Sequence, residues 1–337
     1  MQPIKTRAPS AVVSCLFFLA LCVAPGASQS GETAKVLPLS VAYGAVSGIY
    51  VPVWVAQDEG IFKKHGLEVP ELQYVRTSPT LAQGLVAGSL HVGGMGVALL
   101  DARLAGSDLT FIAGVGGKFV FSLYGRPELS SARDLVGKTV AASQKGATTD
   151  HAVRMWLKAN GLVTGRDVQI IFVGGVPEIM AAIKQNLAAA GIVSPPTTLL
   201  AKKAGLKEIA NLAEQNIPFI QSAWATTDTL IKRNPEGLRR FVYAFTEGIA
   251  VVKQKPDIAM KAIAKYTKEQ DQEVVREAYA AFVDTFPRIP KMTDAELRAA
   301  VETNERAKGS NMNPLSFYDS RFVNELERSG IVDSFYK

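Results

Sequence analysis

Cysteine is almost missing from this chain. There are two in 337 residues, Cys15 and Cys22, and both fall within the first 25 positions. Histidine is nearly as scarce, and His65, His91 and His151 stand apart without metal-ligand spacing. There is no His-Glu-x-x-His and no Gly-x-Ser-x-Gly nucleophile elbow. Gly137-Lys138-Thr139 ends like a phosphate-binding loop, but Ala132 stands where a glycine is needed, and the segment precedes a strand instead of following one. Gly94-Met95-Gly96 is half of a dinucleotide fingerprint, with Leu99 in place of the third glycine. Basic residues exceed acidic ones only modestly, 37 to 31, and form no block, which gives nucleic-acid binding little support. No base with an obvious partner emerges, and that favours binding over catalysis.

The first apolar run, Ala11 to Ala24, is too short for a membrane span of ~20 residues. Lys5 and Arg7 precede it without any acid, and the small residues Pro25-Gly26-Ala27-Ser28 follow. A basic segment, a short apolar segment and a small-residue exit make a secretory signal peptide, residues 1–28, in preference to a buried N-terminal helix. Leu19-Ala20-Leu21-Cys22 resembles a lipobox, but leucine fits poorly before the cysteine, so simple cleavage near Ser28 is expected over lipid anchoring at Cys22. Removing Lys5 and Arg7 takes the net charge from +6 to +4. The exported chain would hold no cysteine. Thiol catalysis, cysteine zinc sites and iron–sulfur clusters are then excluded, and the fold must rest on its core.

What is present reads as a globular protein of one or two domains, 47% hydrophobic and 20% charged. From Leu39 the pattern alternates strand and helix. Strands are expected at Leu39–Gly44, Leu67–Val75, His91–Gly93, Leu109–Val115 and Phe119–Tyr124, with helices from Pro52 to Gly60, Pro79 to Ala87 and Val97 to Leu104. A second copy of the plan starts at Lys138. A shift of 98 residues superposes Val75 on Val173, Pro79 on Pro177, Leu85 on Ile183 and Gly93 on Gly191. Two βαβαβ halves imply two α/β lobes with mostly parallel sheets. After a return strand at Ile217–Ala225 the chain turns helical to its end, and Tyr279, Phe282 and Phe286 form a core stripe there.

In parallel sheets ligands bind beyond the carboxyl ends of the strands, where helix N-termini point. Those ends read Tyr43 to Gly48, Gly94-Met95-Gly96, Ser143 to Thr149, Gly174-Gly175 and Ser194-Pro195. Nearly all are small or hydroxylated, so a ligand can approach backbone N–H groups closely. The competing reading is that Ser and Thr there only cap helices. The expected binding residues are Ser47, Gly94, Met95, Gly96, Ser143, Thr148, Thr149, Gly174 and Ser194, with Tyr43 and Trp224 packing on the ligand. Phe119 lies near a lobe crossing, Lys118 and Lys145 could add charge, and Trp54 and Trp156 are read as core. No metal and no cofactor is expected.

The order of these segments resembles the periplasmic substrate-binding proteins of ABC importers, in the nitrate, sulfonate and taurine group that also takes in proteins similar to the thiamine-pyrimidine synthase. The resemblance covers about residues 36–337. It rests on Gln57-Asp58-Glu59-Gly60-Ile61-Phe62 with His65-Gly66-Leu67-Glu68-Val69, on Leu85-Val86-Ala87-Gly88-Ser89-Leu90, on Gly161-Leu162 with Asp167-Val168, and on Asn234-Pro235-Glu236 leading to Arg239-Arg240-Phe241-Val242. The family commonly has Asp just before the third strand of each lobe, where this chain has His91 and Ala189. The synthase's cysteine motif is absent from the exported chain.

The resemblance implies an α/β, two-lobed periplasmic-binding-protein fold of type II character with a helical C-terminal tail. One lobe would comprise 36–124 and 223–337, and the other 125–222. It implies a periplasmic monomer that closes on a small anionic or heterocyclic solute and presents the closed shape to an inner-membrane permease. The alternatives it leaves open are a pyrimidine-precursor enzyme on the same clamp and an extracytoplasmic sensor subunit.

Overall fold

The computed structural model describes residues 36–116, 120–215, 219–304, 306–307 and 309–337. The segment read as a signal peptide, both cysteines, Lys118 and Phe119 lie outside the described residues. The strands are β1 (Leu37–Pro38), β2 (Val41–Tyr43), β3 (Leu67–Glu68), β4 (Leu72–Tyr74), β5 (Val92–Met95), β6 (Leu109–Gly116), β7 (Ser122–Gly125), β8 (Thr139–Ala142), β9 (Gln169–Phe172), β10 (Ala190–Val193), β11 (Lys207–Asn211) and β12 (Ser222–Thr227). The helices are α1 (Val51–Asp58), α2 (Ile61–Lys64), α3 (Ser78–Val86), α4 (Ala98–Leu104), α5 (Thr148–Ala159), α6 (Val176–Lys184), α7 (Thr197–Lys203), α8 (Asp228–Arg233), α9 (Pro235–Gln254), α10 (Pro256–Thr267), α11 (Gln272–Val283), α12 (Asp294–Thr303), α13 (Arg321–Ser329) and α14 (Val332–Phe335).

Two five-stranded sheets carry the fold, ordered β4-β2-β5-β12-β6 and β9-β8-β10-β7-β11. In each, three strands run parallel and the return strand, β12 or β7, pairs antiparallel on both sides. The internal repeat is realised closely. Moving α3 by 98 residues gives the bounds of α6, and moving β5 gives the bounds of β10. The last two positions of each sheet break the sequence order, because the chain passes from β6 into the second sheet at β7 and comes back at β12. Ser122–Gly125, placed by sequence at the end of the first lobe, therefore pairs with Ala190–Val193 in the second sheet. The switch comes before Ser122.

Other differences have local causes. The strand expected over Leu67–Val75 divides into β3 and β4, and Pro70, which has no N–H to give a ladder, stands between them. The short β3 pairs with β1 alone, whereas β4 joins the first sheet beside β2. Helix α7 and strand β11 carry no strong periodicity and were not anticipated. Tyr279, Phe282 and Phe286 pack against the core of the first lobe as read, and Trp54 and Trp156 are buried. Trp54 stacks on Tyr266 with ring centroids 4.9 Å apart.

The long helix α9 begins at Pro235, with the Asn234 side chain accepting from the Gly237 N–H at 3.0 Å. It carries a buried acid, Glu247, against the N-terminal part of the lobe. Lys64 Nζ lies 2.5 Å from Glu247 Oε1, and His65 Nε2 lies 2.8 Å from Oε2. Burial pushes the Glu247 carboxyl up, but the hydrogen bonds from His65 and Lys64 outweigh it and hold the group below its ordinary value. His91, standing where the resembled family has Asp, keeps an acceptor role: its Nδ1 takes the Ser40 N–H at 3.0 Å and ties the start of β2 to that of β5.

A carboxyl whose value is depressed on folding stabilises the fold above its unfolded value, and that contribution is lost as pH falls through the folded one. Glu247→Gln is expected to cost about 2 kcal/mol near neutral pH, the scale of hydrogen bonds to a charged group. The gap from wild type should close on acidification below the ordinary carboxylate range. Urea unfolding as a function of pH measures both, and a gap independent of pH would contradict the assignment.

Candidate functional site

The carboxyl ends of β2, β4 and β5 face those of β8, β9 and β10 across a cleft. From the first lobe the cleft is lined by Ser47, Tyr50, Tyr74, Arg76, Thr77, Ser78 and Gly96. The second lobe brings Ser143, Thr148, Thr149, Gly175, Val176 and Ser194, and the crossing segments bring Phe121, Gln221 and Ser222.

Three helices start at this cleft: α3, α5 and α6. None is capped by a side chain, because Thr77, Ala147 and Gly175 at the cap positions make no such bond. The hydroxyls nearby are spent otherwise. Thr149 Oγ1 turns back to accept the Ser143 N–H at 2.9 Å and lies 2.6 Å from Ser143 Oγ. Thr148 Oγ1 donates to the Gln221 carbonyl at 3.4 Å. The reading in which these residues merely cap helices is thus not what the structure shows. The first turns of α3, α5 and α6 keep N–H groups without a side-chain cap, Pro79 and Pro177 having no N–H, and the positive ends of the three helices point to the cleft.

Both lobes also touch each other around the cleft. Ser194 Oγ donates to Ser47 Oγ at 3.1 Å, and the Gly48 N–H reaches the Pro195 carbonyl at 3.4 Å. Thr77 Oγ1 donates to the Gln144 side-chain oxygen. Arg76 Nη2 sits 3.1 Å from Glu178 Oε1. Outside the cleft, Lys203 Nζ on α7 lies 2.6 Å from both Asp271 and Glu273 at the start of α11. The lobes are closed on one another.

Tyr50 supplies an aromatic wall of fixed orientation. Its hydroxyl donates to the Gly94 carbonyl at 2.8 Å and, its proton so used, accepts from Ser222 Oγ at 2.8 Å. Burial pushes this hydroxyl up to about 12, against the lowering effect of the Ser222 hydroxyl and the Gly44 backbone, so it stays protonated.

Of the residues expected from sequence, Ser47, Gly96, Ser143, Thr148, Thr149 and Ser194 converge on the cleft. Five do not line it. Trp224 and Met95 are wholly buried, and Trp224 lies edge-on to Phe241, Phe245 and Tyr50. A side chain at the middle of β12 faces the first lobe's own core, so Trp224, expected to pack on the ligand, does not line the cleft. Tyr43 points into an aromatic cluster with Tyr50, Trp54, Tyr74 and Tyr266, and burial pushes its hydroxyl up to about 12. Gly94 is covered by the Tyr50 ring, and Gly174 gives way at the lining to Gly175. Lys145 lies in a separate groove with Asp101 and His151.

Tyr50, Tyr74, Arg76, Thr77, Ser78, Phe121, Gln221 and Ser222 were missed. Thr77 and Ser78 follow a strand end and open a helix, so the rule that found the others would have found them. Gln221 and Phe121 are placed by the crossings, and no local pattern marks them.

The NMT1/THI5-like family profile matches residues 49–259, more than half of the chain. The chain belongs to that family. A relative from Brachyspira hyodysenteriae, named as an ABC transporter periplasmic binding protein, is 24% identical over 308 residues, covering 85% of this chain and 85% of its own. Two solved structures share the fold of this NMT1/THI5-like protein. The periplasmic nitrate-binding protein NrtA from Synechocystis PCC 6803 has a TM-score of 0.72 at 14% identity, over 90% of this chain and 91% of that one. The alkanesulfonate-binding protein SsuA from Xanthomonas axonopodis pv. citri, bound to MOPS, has a TM-score of 0.70 at 17% identity, over 84% and 97%. The fold is that of the periplasmic binding proteins, as the segment order implied.

Gly96 shows how tightly this family member closes. A Cβ there would stand 2.1 Å from Thr148 Oγ1 and 3.0 Å from the Gln221 carbonyl. The threonine hydroxyl can swing aside for one methyl group, but a branched side chain also meets the Thr148 Cβ, 3.3 Å away across the gap. Gly96→Val is expected to hold the lobes apart. Small-angle scattering should show a larger radius of gyration than wild type with the melting temperature little changed, and an unchanged radius would mean that this contact does not limit closure.

Proposed function

We propose that this NMT1/THI5-like protein is the extracytoplasmic solute-binding component of an ABC importer. It captures a small anionic or heterocyclic organic solute by closing two lobes on it and delivers it to an inner-membrane permease. The observation that carries the reading is the convergence of three uncapped helix N-termini, from both lobes, on one cleft lined by hydroxyls and aromatic rings. A solute that accepts hydrogen bonds from both sides binds the closed form better than the open one and so shifts the population toward closure. The names of the relatives, an importer's binding protein and binders of nitrate and alkanesulfonate, support the same solute class.

We read the chain as a binding protein and not an enzyme. The described lining residues offer hydroxyls, amides, aromatic faces and one guanidinium, groups suited to holding a solute. Export through residues 1–28 would place it in the periplasm as a monomer, its lobes divided near the two crossings. No helix among the described residues is long and apolar enough to cross a membrane.

Thermal shift of the exported form against sulfonates, nitrate, carboxylates and pyrimidines tests the proposal. A true ligand at about 100 times its dissociation constant adds about 2.7 kcal/mol of stability. Ser47→Ala combined with Thr148→Ala should remove most of that gain. A gain that survives the double substitution would place the binding site elsewhere.

A further inference from the structure

Arg76 follows β4 and reaches over the lobe gap to Glu178, in the first turn of α6. Two consecutive glycines make the bed for this pair. Gly174 has φ +116, and a Cβ on it would lie 3.1 Å from Arg76 Nη1. A Cβ on Gly175 would lie 2.7 Å from Glu178 Oε2. Arg76 is the single charged side chain among the described residues that line the cleft. Glu178, its ion-pair partner, is not among the lining residues.

We propose that the Arg76–Glu178 pair is a charge filter, which lets the cleft take a singly charged anion and turn away a doubly charged one. The inference rests on the binding function proposed above and adds to it the charge of the solute. With Glu178 on Arg76, the side-chain charge at this mouth of the cleft sums to zero. The positive potential that remains comes from the starts of α3, α5 and α6, about half an elementary charge each. Together they exceed one negative charge and fall short of two. A second charge is only partly balanced, and the Glu178 carboxylate on Arg76 repels it. The field of that carboxylate reaches the lining: after burial itself, Glu178 is the main influence pushing the Tyr74 hydroxyl up, with Arg76 pulling the other way.

Glu178 acts here through Arg76, as a positioning and charge-balancing residue. A guanidinium has five N–H donors, and the contact with Glu178 engages one edge of it, so donors remain for a ligand oxygen. Both side chains are partly exposed, at 59% and 37%, so replacing either leaves the core intact.

Calorimetric titration with methanesulfonate and with sulfate, at constant ionic strength and neutral pH, tests the filter. Wild type should prefer methanesulfonate. Glu178→Gln should narrow that preference about fivefold, as expected for removing one charge a few ångströms away in partly solvated surroundings. Glu178→Asp should restore the wild-type preference, and Arg76→Gln should weaken both anions. A purely structural role for Glu178 would move both affinities together and leave their ratio alone. An unchanged ratio in Glu178→Gln, or a wild type that prefers sulfate, overturns the filter while leaving the binding function standing. If wild type takes up neither anion and binds a neutral pyrimidine, the filter falls together with the anionic reading of the solute.

Discussion

Parallel strands joined by helices force each helix to start where a strand has just ended, so a βαβαβ unit gathers helix N-termini along one edge of its sheet. This chain builds that unit twice and then exchanges one strand between the copies, β12 into the first sheet and β7 into the second. The exchange makes the chain cross twice between the sheets, and it turns the two edges rich in N-termini toward each other. The rest of the molecule depends on this constraint. The helical tail, from α8 onward, covers the first sheet and leaves the facing edges free.

Close approach then becomes the working requirement. Ser47 and Ser194, Gly48 and Pro195, and Thr77 and Gln144 meet directly across the gap, and Gly96 lets Thr148 come nearer than any side chain would allow. Such contacts between small groups are individually weak, so they can break and reform without threatening the fold, and a bound solute can tip the balance. The more strongly stabilising contacts lie elsewhere, in the stacked Trp54 and Tyr266 and in the buried Glu247 with its two basic partners. Stability and closure are carried by different residues.

Much of this was legible in the sequence, because the information was local or repeated. The period of 98 residues predicted α6 from α3 and β10 from β5, and the small residues after each strand pointed to Ser47, Gly96, Ser143, Thr148, Thr149 and Ser194. Less legible were the segments whose partners are distant in the chain. Nothing near Ser122–Gly125 says that its neighbours in the sheet are Ala190–Val193 and Lys207–Asn211, and the strand was therefore placed in the wrong sheet. Trp224 failed for the same reason: a tryptophan near a crossing can face either the cleft or the core, and only the pleat of the assembled sheet decides.

The sequence by itself determined the class of molecule: a chain whose cysteines lie only at its start, with two α/β halves, a helical tail and strand ends made for close approach. Those features follow from composition, periodicity and spacing, which act over a few residues and need no partner. Tertiary structure alone decided which hydroxyls cap helices and which do not, which aromatic ring lines the cleft, and that Arg76 meets Glu178. The last of these depends on groups brought together from opposite lobes, about a hundred residues apart in the chain, and the others on packing that only the assembled lobes and their two crossings supply.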